Sequence, residues 1–307
     1  MQGIIQIKVD DEATGFAQLD SAYEAGINAV DTAHIYGGGG SDRFLGKWIA
    51  ARDLREKVVV LAKGCHHNSD RQRVTPYDIG ADLHDTLARM KTDYIDLYVL
   101  HRDDPNYPVE PIVDALNQFM REGKIKAFGG SNWTTARLEA ANKYAQESGQ
   151  KPFAVSSPNF SLAEQVKEPW ANCITISGPG GESERQWYAA HKMPLFTWSS
   201  MAGGFMTGRI TRENTAEQTD YFGKLAVECY AYPQNFDRLD RAKGIGDAKG
   251  LTIPQIALAY VLHYPLDIYA LVGSATPEEI ASNVAALNTD LTPQEMAYLD
   301  LRAESPK

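Results

Sequence analysis

Short apolar runs alternate with amphipathic segments along the chain. Each run is short enough for one strand, and the segments between them carry apolar side chains at a helical spacing. Strands that are separated by helices pair in parallel, so the pattern predicts a parallel α/β fold. The eight predicted strands are Gly3–Lys8, Ile27–Asp31, Val58–Ala62, Tyr94–Leu100, Ile125–Gly129, Phe153–Ser156, Leu195–Trp198 and Tyr269–Val272.

Several of the intervening segments also carry helix-start signals. Thr75 precedes Pro76, and this pairing of an N-cap residue with a first-turn proline predicts a helix start. Pro254 is placed in the same way near the start of another predicted helix. The predicted helices are Gly15–Ala25, Pro76–Arg89, Ile112–Met120 and Ile253–Leu262.

Eight strands in a chain of 307 residues indicate a (β/α)8 TIM barrel, which would occupy residues 1–307 as one domain. Only Gly3–Lys8 precedes the first helix, so the first barrel strand could be incomplete. An open doubly wound sheet is the alternative, but its G-x-G-x-x-G fingerprint is absent. The irregular stretch Met201–Asn235 is too long for an ordinary connection, and it is interpreted as a cofactor or substrate loop.

Composition and charge narrow the possible partners. Acidic residues outnumber basic ones, 40 against 30, and the net charge of −10 disfavours nucleic acid, although a small anionic ligand stays compatible. No apolar run approaches the ~18 residues of a membrane span, and the N-terminus lacks a signal-peptide pattern. Three scattered cysteines predict neither a disulfide framework nor a zinc site, which indicates a reducing, cytoplasmic location.

Polar residues that end the apolar runs carry the candidate chemistry, because barrel active sites lie at the carboxyl ends of the strands. Asp31, Lys63 and His101 end three of the runs, and Tyr36 follows Asp31 closely. A lysine ammonium beside a phenol favours the phenolate and lowers a tyrosine pKa of ~10. An aspartate can hold that lysine, and a histidine can bind a substrate oxygen. The set predicts a tyrosine general acid that protonates an oxyanion as it forms.

Three further motifs have competing interpretations. Gly37–Gly40 could cradle a phosphate, but it is interpreted as a turn that leads to Ser41 as a helix N-cap. Cys65–His67 offers metal-ligand side chains, but adjacent residues point in different directions and no third partner has zinc spacing, so no metal site is predicted. Gly178–Gly181 is interpreted as a loop before a helix that begins near Glu182.

Six segments resemble, in order, the motifs of the aldo-keto reductase family: GINAVDTAHIYGGGGSDRFLG, VVVLAKG, DYIDLYVLHRDD, GKIKAFGGSNW, WSSMAGGFMTG and LVGSATPEEIASNVAAL. The resemblance implies a (β/α)8 barrel that reduces carbonyl compounds with NADPH or NADH and without a metal. It implies that Asp31, Tyr36, Lys63 and His101 form the catalytic tetrad.

The resemblance also implies a set of cofactor-binding residues. Ser131 and Asn132 match the pair that binds the nicotinamide carboxamide, and Trp198 matches the aromatic residue that stacks on the nicotinamide ring. Ser157 stands where many members have a glutamine, and Asp42 replaces a glutamate. The remaining residues implied in cofactor binding are Ser199, Gly273, Ser274, Thr276, Glu279 and Asn283.

The predicted function is therefore NAD(P)H-dependent reduction of an aldehyde or ketone to the alcohol, with a small-molecule carbonyl compound as the partner. Gly273 and Glu279 occupy places where NADPH-specific members often have lysine and arginine, so we expect weak NADPH preference or use of both cofactors. A non-catalytic NAD(P)H-binding regulatory subunit and a metal-dependent barrel hydrolase are the alternatives. Neither the substrate nor the oligomeric state is predicted.

Overall fold

The computed structural model describes residues 11–307, so the predicted strand Gly3–Lys8 lies outside the described residues. Within the described part, the chain forms two compact units. The first comprises residues up to 157 together with 273–277, and the second comprises 158–272 and 278–307. The assignment of residues 1–307 to a single domain stays a prediction.

The first unit contains five strands that pair in parallel in the order of the chain. The strands are buried on both faces, which explains why they appear in the sequence as nearly continuous apolar runs. They are β1 (Ala29–Ala33), β2 (Val59–Gly64), β3 (Ile95–Leu100), β4 (Ile125–Ser131) and β5 (Val155–Ser157).

Five helices accompany these strands. The start of α3 is confirmed: Thr75 and Asp78 form a reciprocal capping box, and Pro76 lies in the first turn. Helices α3 and α4 supply Ile79, Leu83 and Ile112 to the fully buried core of this unit. The helices are α1 (Glu12–Glu24), α2 (Gly40–Arg52), α3 (Pro76–Met90), α4 (Val109–Arg121) and α5 (Thr135–Glu147).

The second unit contains two strands that pair in parallel, β6 (Leu195–Thr197) and β7 (Ile268–Ala270). Asn159 makes isolated bridges to Thr175 and Trp198 within the same unit. The helices are α6 (Glu182–His191), α7 (Tyr221–Tyr230), α8 (Pro233–Lys249), α9 (Ile253–Leu262), α10 (Pro277–Ala285), whose first residue is counted with the first unit, and α11 (Pro293–Leu299).

Two local predictions are wrong. Ser41 is not the N-cap of α2, because Gly37, Gly38 and Gly39 all adopt positive φ angles and bring the helix start forward to Gly40. Ser41 instead accepts a hydrogen bond from the Thr32 hydroxyl at 2.9 Å.

The stretch Met201–Asn235 is not irregular throughout. It contains α7, whose N-cap Asp220 accepts a hydrogen bond from the Gly223 amide at 2.9 Å, and the first turn of α8. Short 3-10 turns, Ala202–Thr207 and Thr215–Glu217, occupy part of the remainder. Among residues 11–307, no helix is both long and apolar enough to cross a membrane.

Candidate active site

The register of the first three strands brings the candidate residues to one edge of the sheet. Ala33 of β1 lies opposite Lys63 of β2, and Gly64 lies opposite Leu100, the residue before His101. Backbone hydrogen bonds extend this pairing past the strand ends, from the His101 amide to the Gly64 carbonyl at 2.7 Å. Lys63 and His101 thereby lie together at the carboxyl ends of their strands, as expected for parallel strands. Asp31 does not end its strand as predicted, because β1 continues through Thr32 and Ala33.

Asp31 and Lys63 form a buried ion pair at this edge. The Lys63 ammonium donates to Asp31 Oδ1, and the two residues are only 3% and 5% exposed, so little water competes with the pair. Burial lowers the pKa of Lys63, but the carboxylate of Asp31 and the phenol of Tyr36 together raise it above its ordinary value. Lys63 is therefore held as the cation.

Tyr36 lies beside both Lys63 and His101. The Lys63 Nζ lies 5.3 Å from the centre of the Tyr36 ring, and the His101 ring meets it edge-on with centroids 5.6 Å apart. Burial raises the pKa of Tyr36, and Lys63 offsets only part of that effect. The expected net lowering of this pKa is therefore wrong for the free protein, because removing the phenolate from water outweighs the nearby cation.

His101 is a neutral imidazole at the same edge. Burial lowers its pKa well below the ordinary value, and the positive charges of Lys63 and Arg102 lower it further. Within residues 11–307, its buried Nδ1 has no hydrogen-bond partner. A neutral ring can donate one hydrogen bond to a substrate oxygen without adding a charge to the site.

The depressed pKa of His101 makes stability depend on pH. The unfolded chain takes up a proton near pH 6.5 that the folded protein excludes, so the free energy of unfolding should fall as pH drops below that value. His101→Gln should reduce this slope, as measured by denaturant unfolding at a series of pH values. Equal slopes in the two proteins would show that His101 is protonated normally. His66 and His67, whose pKa values are also lowered by burial, act in the same direction.

Ser131 and Asn132 continue the edge at the end of β4. The Ser131 hydroxyl donates to the Ser157 carbonyl at 2.9 Å, and the Asn132 amide side chain donates to the His101 carbonyl at 3.3 Å. Asn132 has a φ of 59°, an uncommon conformation for a residue other than glycine. This network ties Ser131, Asn132 and Ser157 to His101, the residue that follows β3.

Three of the buried polar atoms without a hydrogen-bond partner in the described part of the chain belong to candidate site residues of this unit. They are Asp31 Oδ2, His101 Nδ1 and Ser157 Oγ. Buried polar atoms are normally paired, so an edge with unpaired donors and acceptors is typical of a polar ligand site. The residues present therefore fit a ligand that offers hydrogen-bonding groups.

Comparison with known proteins identifies the chain. The sequence profile of the Aldo/keto reductase family matches residues 6–303. The chain belongs to the aldo/keto reductase family. It is therefore an oxidoreductase by family.

Curated aldo/keto reductase relatives cover most of the chain at low identity. A norsolorinic acid reductase of Emericella nidulans is 28% identical over 300 residues, which is 94% of this chain and 71% of that protein. A probable aryl-alcohol dehydrogenase of Saccharomyces cerevisiae is 24% identical over 296 residues, 93% of this chain and 86% of that protein.

Solved structures establish the fold of this aldo/keto reductase. The crystal structure of an aldo-keto reductase from Klebsiella pneumoniae in complex with NADPH matches with a TM-score of 0.72 at 23% identity, over 100% of this chain and 92% of that one. A second structure from the same organism, with NADP and acetate, matches with a TM-score of 0.70 at 24% identity, over 98% of this chain and 89% of that one. The predicted α/β class and (β/α)8 barrel are thereby confirmed.

The other predicted cofactor residues of this aldo/keto reductase are divided between the two units. Gly273, Ser274 and Thr276 belong to the first unit, where the neighbouring Ala275 carbonyl accepts a hydrogen bond from Gln18 at 2.7 Å. The second unit holds Trp198, Ser199, Glu279 and Asn283.

Within the second unit, Trp198 follows β6 directly. Its carbonyl accepts a hydrogen bond from the Asn159 side chain at 3.1 Å, and its ring lies 6.4 Å from that of Trp170. Ser199 has a φ of 51°, so the backbone turns sharply after Trp198.

Sequence reasoning missed the acidic face of α3, which contacts the two segments that carry the candidate residues. Asp78, Asp82 and Asp85 recur at a helical spacing and therefore lie on one face. That spacing was available in the sequence, but it is equally typical of a solvated helix face. Only the structure shows that Asp82 is buried.

Proposed function

We propose that this aldo/keto reductase reduces an aldehyde or ketone to the alcohol, with NADPH or NADH as the reductant and Tyr36 as the general acid. The observation that carries the proposal is the buried ion pair of Lys63 and Asp31 beside Tyr36 and His101. Four side chains of complementary chemistry at one edge of a barrel sheet are typical of an acid–base site.

Each tetrad residue has a distinct chemical role. When bound, a nicotinamide cofactor would supply a hydride to the carbonyl carbon. Tyr36 Oη donates its proton to the carbonyl oxygen as negative charge develops there, and it is left as a phenolate. The Lys63 ammonium stabilises that phenolate, and Asp31 keeps the ammonium charged and in place. Neutral His101 orients the carbonyl oxygen by a hydrogen bond.

A raised pKa of Tyr36 fits this role. Since burial keeps the phenol protonated, the acid carries its proton throughout the neutral range. Lys63 acts on the phenolate that forms when the proton leaves, and it thereby lowers the energy of the transition state more than that of the ground state. The charge needed for catalysis is thus already in position before the substrate binds.

The residues that would hold the cofactor are those implied by the resemblance to the family. Ser131 and Asn132 would bind the carboxamide, assisted by Ser157, and Trp198 would stack on the nicotinamide ring. The unpaired Ser157 hydroxyl supports a polar ligand at this place. The related structures from Klebsiella pneumoniae contain NADPH or NADP, which supports a nicotinamide cofactor here. The further predicted contacts are Ser199, Gly273, Ser274, Thr276, Glu279 and Asn283.

The proposed substrate is a small carbonyl compound, and the proposed location is cytoplasmic. The names of the relatives, an aryl-alcohol dehydrogenase and a norsolorinic acid reductase, favour including aryl aldehydes and aryl ketones in a test panel. Titration with NADPH and with NADH, followed by turnover assays with aryl aldehydes and keto sugars, tests the proposal. Tight cofactor binding without turnover of any carbonyl would favour a regulatory subunit instead.

Cofactor selectivity gives a separate prediction. A protein that demands the extra phosphate of NADPH normally supplies a cation for it. Gly273 and Glu279 supply none, and Arg212 is already bound to Asp237 and Asp240 at 2.9 and 2.8 Å. We therefore expect dissociation constants for NADPH and NADH that differ by far less than a thousandfold.

Two variants locate the charge that sets this preference. Glu279→Arg should tighten NADPH binding by about 1–3 kcal/mol, because a charge-assisted hydrogen bond to phosphate has that value. Exposed Arg209, whose side chain has no hydrogen-bond partner within residues 11–307, is the other arginine of the stretch Met201–Asn235, so Arg209→Ala tests it. A thousandfold preference for NADPH that Arg209→Ala abolishes would contradict weak selectivity and assign the phosphate to Arg209.

A further inference from the structure

Helix α3 presents three carboxylates along one face: Asp78, Asp82 and Asp85. Asp82 is 2% exposed, and it lies beneath the segment that follows Lys63. Its Oδ2 accepts a hydrogen bond from the Cys65 amide at 2.8 Å. A buried carboxylate that accepts a backbone N–H fixes that backbone group strongly, because the bond is charge-assisted and shielded from water.

Arg73 holds Asp82 in this place. Its two terminal nitrogens donate to the two carboxylate oxygens of Asp82 at 2.6 and 3.1 Å, which is a bidentate arrangement. Arg73 also donates to the His66 carbonyl at 3.4 Å. Asp82 and Arg73 together therefore bind the backbone at two successive residues, Cys65 and His66.

The backbone at Gly64 and Cys65 has an unusual conformation and surroundings. Cys65 has a φ of 63°, in the left-handed region that residues other than glycine rarely adopt. Gly64 has no room for a side chain, since an added Cβ would overlap the Tyr98 hydroxyl and come within 3.0 Å of the Asp82 Cβ. The strand carrying Lys63 is therefore followed by a backbone conformation that the residue type at Cys65 does not favour, so an outside contact must maintain it.

The neighbouring strand end is tied to the same helix. The His34 amide donates to the Lys63 carbonyl at 2.8 Å, and His34 Nε2 lies 3.1 Å from Asp85 Oδ2 and 3.7 Å from Asp82 Oδ1. His34 lies between Asp31 and Tyr36 in the sequence. The acidic face of α3 thus contacts both the segment after Lys63 and the segment between Asp31 and Tyr36.

We propose that Asp82 is a positioning residue, which holds the backbone at Cys65 so that the Lys63 ammonium stays beside Asp31 and Tyr36. The proposal rests on the role assigned to the tetrad in the proposed function. Asp82 itself touches none of the reacting groups, and its effect on them passes through the backbone from Cys65 to Lys63.

The direction in which the Tyr36 pKa changes on removal of Asp82 distinguishes a positioning role of Asp82 from a direct effect of its charge. The charged and titratable groups that act on the Tyr36 phenol are Lys63, Asp31 and Arg102, with the His101 ring against it. If Asp82 acted through its own negative charge, removing it would make the Tyr36 phenolate easier to form. If Asp82 positions Lys63, removing it lets the cation move away, and the phenolate becomes harder to form.

The test follows the Tyr36 phenolate by alkaline ultraviolet difference spectra, each protein being compared with its Tyr36→Phe counterpart. Asp82→Ala should raise the Tyr36 pKa by about one unit, the lower end of the effect of a nearby opposite charge. Asp82→Asn keeps an oxygen for the Cys65 amide and should titrate as the unmodified protein does. A Tyr36 pKa that is unchanged or lowered in Asp82→Ala would overturn the proposal.

Asp96→Ala is the matched control. Asp96 also accepts a β2 amide, that of Val60 at 3.1 Å, and pairs with Arg55 at 3.0 Å, but it does so near the start of the strand. Asp96→Ala should lower the free energy of unfolding and leave the pKa of Tyr36 unchanged. If the alanine variant does not fold, Asp82→Ser is used in its place, because the shorter serine side chain also cannot reach the Cys65 amide.

Turnover supplies the second readout. Asp82→Ala should lower kcat about ten- to a hundredfold, the size of effect caused by ~1 Å misplacement, with KM and the NADPH dissociation constant changed less than about threefold. A raised KM with unchanged kcat would contradict positioning of the acid. If the unmodified protein reduces no carbonyl, the proposed function fails, while the Tyr36 titration still decides the role of Asp82.

Discussion

Tyr36→Phe should lower kcat by a factor of ~10²–10⁴, the usual contribution of a general acid. The substitution keeps the ring, which packs edge-on against His101, and removes only the hydroxyl that carries the proton. Cofactor affinity should hardly change, because the hydroxyl acts on the carbonyl oxygen. Stopped-flow measurement of cofactor oxidation, together with a cofactor titration, separates the two effects.

The chain offers a matched control for this variant. Tyr94 also lies beside two cations, with Arg55 at 3.7 Å and Lys126 at 4.0 Å from its ring centre, but it precedes β3 and so lies at the opposite end of the strand from His101. Tyr94→Phe should leave kcat unchanged. If Tyr36→Phe retains a kcat near that of Tyr94→Phe, then Tyr36 is not the acid.

The strands of the first unit were predictable because both of their faces are buried. A strand covered on both sides needs apolar residues at nearly every position, and such runs stand out from amphipathic helices. The predicted run Val58–Ala62 and the observed strand Val59–Gly64 differ only at the ends. The difference includes Lys63 and Gly64. A polar residue at the end of an apolar run is interpreted as the end of the strand, even where the backbone hydrogen bonds of the sheet continue.

Features that depend on backbone conformation were not predictable in the same way. Ser41 is a favourable N-cap residue by type, but three left-handed glycines start the helix earlier. Helix α7 was missed because the whole stretch Met201–Asn235 was interpreted as irregular, although Asp220 was an available N-cap signal. Residue type sets preferences at a turn, whereas the φ angles that decide it depend on the surrounding structure.

The proximity of Asp31, Tyr36, Lys63 and His101 was predictable, but the balance of forces on them was not. Their placement follows from strand order, because parallel strands align their carboxyl ends. The direction of the Tyr36 pKa depends on how much water the phenol loses compared with how near Lys63 lies, and neither quantity can be read from spacing. For the same reason, Asp82 looked like an ordinary surface residue of a helix until its burial was known.

Lys63→Met should lower kcat by several orders of magnitude and move the alkaline limb of the pH profile upward. The cation stabilises the phenolate left by Tyr36, so its loss makes the acid weaker and raises its pKa further above the ordinary value. Each unit of that rise corresponds to about 1.4 kcal/mol in the energy of the phenolate. In the direction of carbonyl reduction, activity depends on protonated Tyr36, and the pH at which activity is lost therefore rises with the Tyr36 pKa.

Loss of Lys63 also leaves Asp31 buried without its partner, and breaking such a pair costs about 3–5 kcal/mol. A low rate could then reflect poor folding alone, so the decisive protein is the double variant Lys63→Met with Asp31→Asn, which buries no uncompensated charge. It should recover most of the unfolding free energy lost by Lys63→Met, as measured in denaturant, and none of the lost kcat. Recovery of kcat together with stability would mean that Lys63 serves the fold and not the reaction, because in that case the phenolate of Tyr36 needs no cation beside it.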